Sequence, residues 1–393
     1  MPKTIAITPS WYWPERIPRV SGVPPYSAFD LLVARRARKG PDDVALSDLE
    51  RSLTAGELVS QVSSVAVAIK ARGAERSTVR IVAPVGVEFA VLFLGALAAG
   101  CTIDATSAGS AGATTTLAGS GGQGDVTYDA AIASPASEAP CGPESTESLA
   151  LVLDSAKEAG SRIGVSQRAL LARAISLAMY FEFPPEAPWV IDLDPGNWAF
   201  SAALGAALHS GSIAVLTPPG DADSFAAAVG AQQFQSVGVM DFQEAFVASK
   251  ESKRVAKGLR GQLLGLILPV ISSFDASERR RIEKVFDCPS LTVYGLPETG
   301  PVLASHPSWY LVESAGIPIT NADVLPVDPR SGAKIQTLWE LVEFAAVNVR
   351  SPMLATSRSS NGAWEPIGGM ISTGVAASSD ANGMIYLLPP GSI

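Results

Sequence analysis

Apolar positions along this chain follow two spacings. Leu58 to Arg72 carries Val62, Val65, Ala66 and Ile69 three and four residues apart, the stripe of a helix that lies on a core. Ahead of it, Thr54-Ala-Gly-Glu57 has the form of a capping box. Helices are also expected over Ser27 to Arg38 and over Val87 to Ala99, the latter apolar almost all round. Val44 to Ser47 and Val79 to Pro84 are expected as strands, short apolar runs bounded by turn residues. From Leu149 the pattern becomes regular. Strands at Leu149–Leu153, Trp189–Leu193, Ile213–Thr217, Ser236–Met240, Leu263–Leu268 and Leu291–Tyr294 alternate with helical stretches from Ser166, Trp198, Asp223, Asp241 and Ser277. Such alternation predicts parallel βαβ units and an α/β, doubly wound sheet. From Ser314 onward short strands and turns dominate, as in a small barrel or meander.

The breaks in this pattern divide the chain into three expected units. Residues 1–147 form a first α/β unit, whose proline-containing opening (Trp11-Tyr-Trp-Pro-Glu15) is expected to wrap the surface in extended form. Ser134 to Ser148 reads as a linker with three prolines, residues 148–312 as a second α/β unit, and residues 313–393 as a small β-rich one.

Composition narrows the function. With 393 residues, 47% hydrophobic and 17% charged, the chain can bury a large core. A net charge of −9 counts against a nucleic-acid partner held through its phosphates. Cys101, Cys141 and Cys288 are far apart, and His209 and His306 are the two imidazoles, so neither a disulfide framework nor a metal site is expected. The apolar runs near Phe89–Gly100 and Leu263–Ile271 are too short to span a bilayer, and Met1-Pro-Lys-Thr lacks the apolar core of a secretory leader. A cytoplasmic chain is the expectation.

Few isolated motifs point to chemistry. Gly119-Ser-Gly-Gly-Gln-Gly124 has no Lys-Ser/Thr ending and no amphipathic helix after it, so it reads as a turn and not a phosphate loop. His209, before Ser210-Gly211, reads as a helix C-terminal residue, and His306 sits in a loop without an evident acid or nucleophile. No Gly-x-Ser-x-Gly elbow is present.

The informative segment is Tyr294-Gly-Leu-Pro-Glu-Thr-Gly300, where an apolar strand breaks into a turn that can aim amides and a carboxylate at a phosphate or metal. It resembles the YGxTE motif of the adenylate-forming superfamily, which includes acyl-CoA synthetases, peptide-synthetase adenylation domains and luciferases. Other stretches resemble that family's large N-terminal domain in order and spacing: Pro41-Asp-Asp-Val-Ala-Leu46, Leu53-Thr-Ala-Gly-Glu-Leu58, Arg80-Ile-Val-Ala-Pro-Val85 and Val324-Leu-Pro-Val-Asp-Pro-Arg-Ser-Gly332. The resemblance implies two doubly wound parallel or mixed sheets flanked by helices, with a small β-barrel-like unit.

It also exposes departures at each nucleotide position. The family's TSGTTGxPKG loop, which cradles ATP phosphates, precedes a helix start visible here as Ser166-Gln-Arg-Ala-Leu-Leu171. The stretch before that helix is Asp154-Ser-Ala-Lys-Glu-Ala-Gly-Ser-Arg-Ile163, where Asp154 and Glu158 bring negative charge and Ser155, Lys157 and Arg162 remain as polar or compensating groups. Pro297 stands where the family's Thr binds phosphate, and it offers neither hydroxyl nor N–H. Thr373-Gly374-Val375 is in register with the family's TGD, whose carboxylate binds ribose hydroxyls, and Val375 has none. The family continues into a hinge and a mobile C-terminal domain with a catalytic Lys, whereas this chain stops at Ile393, so a natural short form without that domain is the expectation.

Glu298 is the remaining candidate catalytic carboxylate, and Trp198, Phe200, Tyr294, Gly295, Leu296 and Pro297 are the candidate lining of an acyl or aryl pocket. The expected function is an acyl-CoA-synthetase-like protein that has lost ATP-dependent adenylation and binds an acyl or aryl ligand or a protein partner, including a second copy of itself. Natural-product or lipid biosynthesis is the expected setting. Neither ATP nor Mg²⁺ is expected as cofactor, while a CoA thioester fits. Two alternatives stay open: an enzyme acting on a preformed acyl thioester by transfer, cyclisation or hydrolysis, and an atypical ligase that still uses ATP.

Overall fold

The computed structural model describes residues 13, 15–107, 114–133, 140, 142–251, 259–308, 310–328, 330–333, 335, 342–360, 362–380 and 382–389. The opening arm expected at Trp11 and Tyr12 therefore lies outside the described residues, as do Cys141 and residues 134–139 of the linker expected from Ser134.

A π-helical segment, Phe29–Ala34, runs into α1 (Arg35–Lys39), followed by β1 (Val44–Ser47), β2 (Ser52–Thr54) and α2 (Ala55–Ala71). The capping box is formed. Thr54 Oγ1 accepts from Glu57 N and Glu57 Oε2 accepts from Thr54 N, which fixes the start of α2. Next come β3 (Thr78–Val82), α3 (Val87–Ala98), β4 (Thr102–Asp104), β5 (Thr115–Ala118), β6 (Val126–Thr127) and α4 (Tyr128–Ile132). Strands β7 (Leu149–Asp154) and β8 (Arg162–Ser166) then form an antiparallel hairpin that leads into α5 (Gln167–Phe181).

The regular alternation follows: β9 (Trp189–Asp192), α6 (Phe200–Ser210), β10 (Ala214–Leu216), α7 (Ala222–Gly230), β11 (Ser236–Met240), α8 (Phe242–Glu251) and β12 (Leu263–Val270). It closes with α9 (Ala276–Phe286), β13 (Ser290–Leu296), β14 (Gly300–Ala304) and β15 (Ile317–Pro318). The last part holds β16 (Asp323–Val327), β17 (Val342–Arg350), β18 (Ser357–Ser359), β19 (Glu365–Pro366), β20 (Ile371–Ser379) and β21 (Ile385–Leu387).

Three sheets result. The first has nine strands in the order β15-β14-β13-β12-β11-β9-β10-β1-β2, with six parallel strands from β13 to β1. The second has eight in the order β19-β18-β8-β7-β4-β3-β5-β6. The third is an open, four-stranded antiparallel sheet, β16-β17-β20-β21, which is the meander form and not a closed barrel. The sheets draw strands across the expected chain segments. Residues 44–54 join the nine-stranded sheet, and β18 and β19 leave the small antiparallel sheet to pair beside β8.

Both faces of the nine-stranded sheet are covered, and period-two burial shows how. Trp189 and Ile191 point into the core that includes α2, α3, α5 and α6, while Val190 between them points into a second core with α7, α8 and α9. Ile267 faces the first core, and Leu266 and Leu268 face the second. No helix among the described residues is long and apolar enough to cross a membrane.

Candidate functional site

The strand ends of β7 and β13 bring two turns together. In the first, Asp154 and Arg162 are paired across the β7–β8 hairpin, and residues 155–161 close it. Ser155 N donates to Ser161 O (2.9 Å), and Gly160 takes a left-handed φ of 78°. Ser155 Oγ accepts from the amides of Lys157 and Glu158, both at 3.1 Å, and donates to Glu298 Oε1 at 2.6 Å. Its hydrogen and both lone pairs are thus engaged.

The second turn joins β13 to β14. Leu296 N donates to Thr299 Oγ1 (3.0 Å) and Thr299 N donates to Leu296 O (3.1 Å), so this turn stands without a contribution from Pro297 N. Two glycines make the turn possible. A Cβ on Gly295 would lie 2.3 Å from Gly300 O and 2.8 Å from Trp198 Cη2. Gly300 has φ 66°, and a Cβ there would lie 2.7 Å from Arg173 Nε.

Arg173, on α5, is fully buried. Its Nη2 donates to Pro297 O (2.8 Å) and its Nε to Met353 O (2.9 Å). Burial lowers its pKa to about 9, against the opposing pull of the Glu298 carboxylate. Glu298 is 4% exposed. Oε1 accepts from Ser155 and more weakly from Lys157 N (3.3 Å), while Oε2 and Arg173 Nη1 have no hydrogen-bond partner. The sequence reading passed over Arg173. Its signal is a lone charge in the otherwise small or apolar run Ala169 to Leu177.

A third segment closes the group. Lys157 Nζ donates to Ser372 O (2.6 Å), at the start of β20. Next to it Thr373 Oγ1 donates to Val347 O (2.9 Å) and accepts from Val375 N (3.2 Å). Val375 is half-buried and packs against the second core.

The Ser155–Glu298 contact lies between two cavities. One, of about 560 Å³, is lined by Lys157, Ser161, Glu298, Arg358, Ile367 and Met370 among others, and Ser161 Oγ and Glu298 Oε2 are its unpartnered polar atoms. The other, of about 450 Å³, has Trp198, Phe242, Phe274 and Pro297 in its wall. Among the described residues that line it, the charged ones are Asp154 and Asp241, with no Lys, Arg or His. Asp154 Oδ2 accepts from Ser107 N (2.8 Å) and Ser107 Oγ (2.7 Å).

Of the residues singled out in the sequence, Ser155, Lys157 and Glu298 are in contact, and Asp154, Trp198 and Pro297 share the smaller cavity. Phe200 is elsewhere, fully buried in the core at 5.7 Å from Phe89 and 6.2 Å from Phe93, ring centroid to centroid. Tyr294 and Leu296 are buried in β13. Arg162 is half-buried beside the hairpin.

Among the described residues no group of three His, Cys, Asp or Glu is placed to hold a metal, and Cys101 and Cys288 are buried thiols outside any disulfide. His209 lies in the last turn of α6, which ends at Gly211 in the left-handed region (φ 88°). Burial, then Arg35 and Lys39, lower its pKa to about 4.

The sequence matches the family model for AMP-binding enzymes over residues 33–113. No curated protein matches it. Solved structures do. An anthranilate CoA ligase in complex with anthranoyl-AMP superposes with a TM-score of 0.79 at 14% identity, over 95% of this chain and 80% of that one. A long-chain-fatty-acid-CoA ligase from Archaeoglobus fulgidus gives 0.78 at 13% identity, over 96% and 86%. The N-terminal domain of FACL13 from Mycobacterium tuberculosis gives 0.77 at 15% identity, over 93% of this chain and 100% of that domain.

Proposed function

We propose that this chain, which has the N-terminal-domain fold of acyl-CoA-synthetase-like adenylate-forming proteins, binds an acyl or aryl group without making an adenylate. The observation that carries the reading is the state of the β7–β8 turn. Three donors of that turn are engaged by the protein itself: Ser155 Oγ and Lys157 N on Glu298, and Lys157 Nζ on Ser372 O. A triphosphate entering here would have to displace a contact to a buried carboxylate and meet the charge of Glu158. Pro297 and Val375 add two positions with no group to offer.

The cavity beside Trp198 is the place for the acyl or aryl group. Its aromatic wall suits an apolar body, and its carboxylates disfavour a free acid. A neutral acyl group, as in a thioester, is the favoured form. Ser155 is a poor candidate for the nucleophile of a thioester-cleaving enzyme, because both of its lone pairs already accept amide hydrogens. Binding, to hold or present such a group to a partner, is therefore preferred over turnover. A setting in natural-product or lipid biosynthesis accords with it.

One observation favours a different reading, an atypical ligase that uses ATP. Glu298 Oε2 is unpartnered and lines a cavity that also holds Arg358 and Lys157. Calorimetry separates the two. The proposal expects no heat from Mg·ATP or from a stable acyl-adenylate analogue, and heat from a neutral aryl thioester such as benzoyl-N-acetylcysteamine. Saturable Mg·ATP binding would overturn it in favour of the ligase.

A further inference from the structure

A third cavity, also of about 560 Å³, shares no lining residue with the two beside Glu298. Its walls come from the segment 19–23 with Trp13, from the start of α5, from residues 318–324 and from residues 350–352. Among the described residues three arginines line it, Arg19, Arg168 and Arg350, against one carboxylate, Asp323. In a protein of net charge −9, a formal surplus of two positive charges around one small cavity runs against the whole. The rest of the lining is largely apolar: Trp13, Val20, Val23, Ile319 and Pro352 among others.

The walls are fixed. Asn321, in the left-handed region at φ 67°, accepts from Ser21 N (2.8 Å) through Oδ1 and donates through Nδ2 to Ser176 Oγ (3.0 Å). Asn321 N donates to Arg19 O (2.8 Å), and Thr320 Oγ1 donates to Pro18 O (2.9 Å). These bonds hold the segment 18–21 against the residues after β15. Arg19 is set 5.2 Å over the Trp13 ring, which orients its guanidinium. Arg168 pairs with Glu147 at 3.0 Å, but both side chains are more than half exposed. A surface pair of that kind is weak, so a ligand anion can replace Glu147. Arg350 ends β17, opposite Asp323 in β16.

We propose that this cavity binds a small amphipathic anion, a molecule with a carboxylate or phosphate head and an apolar body. The guanidinium forks take the oxygens of the head, and Trp13, Val23 and Ile319 take the body. The volume lies in the range of small-molecule sites. The site is independent of the acyl reading above, since it uses other residues and the opposite charge preference.

Calorimetry with octyl phosphate, octanoate, inorganic phosphate and octylamine tests it, on the wild type and on Arg168→Gln, Arg350→Gln and Ser272→Trp. The last variant fills the cavity beside Trp198 and leaves the arginine-lined one intact. Expected is saturable binding of octyl phosphate or octanoate, at least tenfold weaker in each arginine variant and unchanged in Ser272→Trp. Whichever of the two heads binds more tightly identifies the ligand's acid group. Four results would each overturn the proposal: no binding of either amphiphile at millimolar concentration, equal binding of octylamine, equal binding of inorganic phosphate, or loss of binding in Ser272→Trp with retention in the arginine variants. Loss in Ser272→Trp alone would assign the amphiphile to the cavity beside Trp198 and contradict the neutral preference proposed there as well, whereas no binding of either amphiphile, or loss of the charge preference, overturns this proposal and leaves the acyl reading standing.

Discussion

Asp192 shows how a single side chain sets a pH dependence. It ends β9 and is 2% exposed, and desolvation pushes its pKa up to about 7, with Glu244, Asp221 and Asp241 adding to the rise against the Gly220 N–H that it accepts. The folded form therefore holds a proton that the unfolded chain releases near its ordinary value. Between about pH 4 and pH 7 the folded state binds more protons than the unfolded one, so this residue's contribution to stability falls as pH rises through that window. Asp192→Asn removes the titration. It is expected to be more stable than wild type by about 1–2 kcal/mol at pH 7.5, with the gap shrinking toward pH 4.5. Thermal melts of both proteins at the two pH values check this, and a gap that widens on acidification would contradict it. Gly295 makes the same point sterically. A methyl there meets Gly300 O and Trp198 Cη2 inside van der Waals contact, so Gly295→Ala is expected to lose about 3 kcal/mol in urea unfolding. A loss below about 0.5 kcal/mol would mean that the β13–β14 turn is softer than its contacts imply.

At the scale of elements, α9 depends on a charged residue on its buried face. Arg279 is fully buried. It donates to Ser290 Oγ, Ser290 O and Ser305 Oγ, and to the carbonyls of Leu311, Val312 and Ser314. It therefore ties the helix to the start of β13 and to the loop before β15, and burial lowers its pKa to about 10. Arg279→Met keeps the bulk and abandons these acceptors, and is expected to cost about 3 kcal/mol, read as a lower urea midpoint with unchanged m-value. Arg279 stands three and seven residues before Ile282 and Phe286, so helical spacing puts it on their buried face, but the sequence does not show which distant carbonyls and hydroxyls satisfy its charge. The same limit explains where else the elements were and were not legible. The capping box at Thr54 and the βαβ rhythm from Trp189 are local, and the structure keeps them, whereas the strand expected at Leu149 pairs antiparallel with β8 in the other large sheet and opens no βαβ unit with β9. Strand β8 was not visible, because Arg162-Ile-Gly-Val-Ser is short, and Gly164 serves a distant partner. A Cβ on Gly164 would lie 2.5 Å from Ser357 Oγ, in a strand almost two hundred residues away. The contact of Glu298 with Ser155 is equally non-local. The sequence named both residues but not that they satisfy each other.

For the molecule as a whole, the proposed loss of adenylation can rest on residues that are missing or on how those present are arranged. Three segments meet at the candidate site: the β7–β8 turn, the β13–β14 turn and the start of β20. On the proposed reading Pro297 and Val375 are departures at single positions in two of them, and both can be reversed. The third is different, because Ser155, Lys157 and Glu298 are present and bound to one another or to Ser372 O across all three segments. A triphosphate that takes the Ser155 and Lys157 donors must break that network first. It also enters beside Glu158 on one side and Asp154 on the other, charges that oppose a triphosphate. The double variant Pro297→Thr with Val375→Asp is therefore expected to remain silent to Mg·ATP in calorimetry. Adding Glu158→Gly relieves one charge while leaving the Ser155–Glu298 contact in place, and is expected to give at most weak, salt-sensitive binding. Micromolar Mg·ATP binding by the double variant would mean that the closed turn opens readily, and that the two point losses alone had silenced the site.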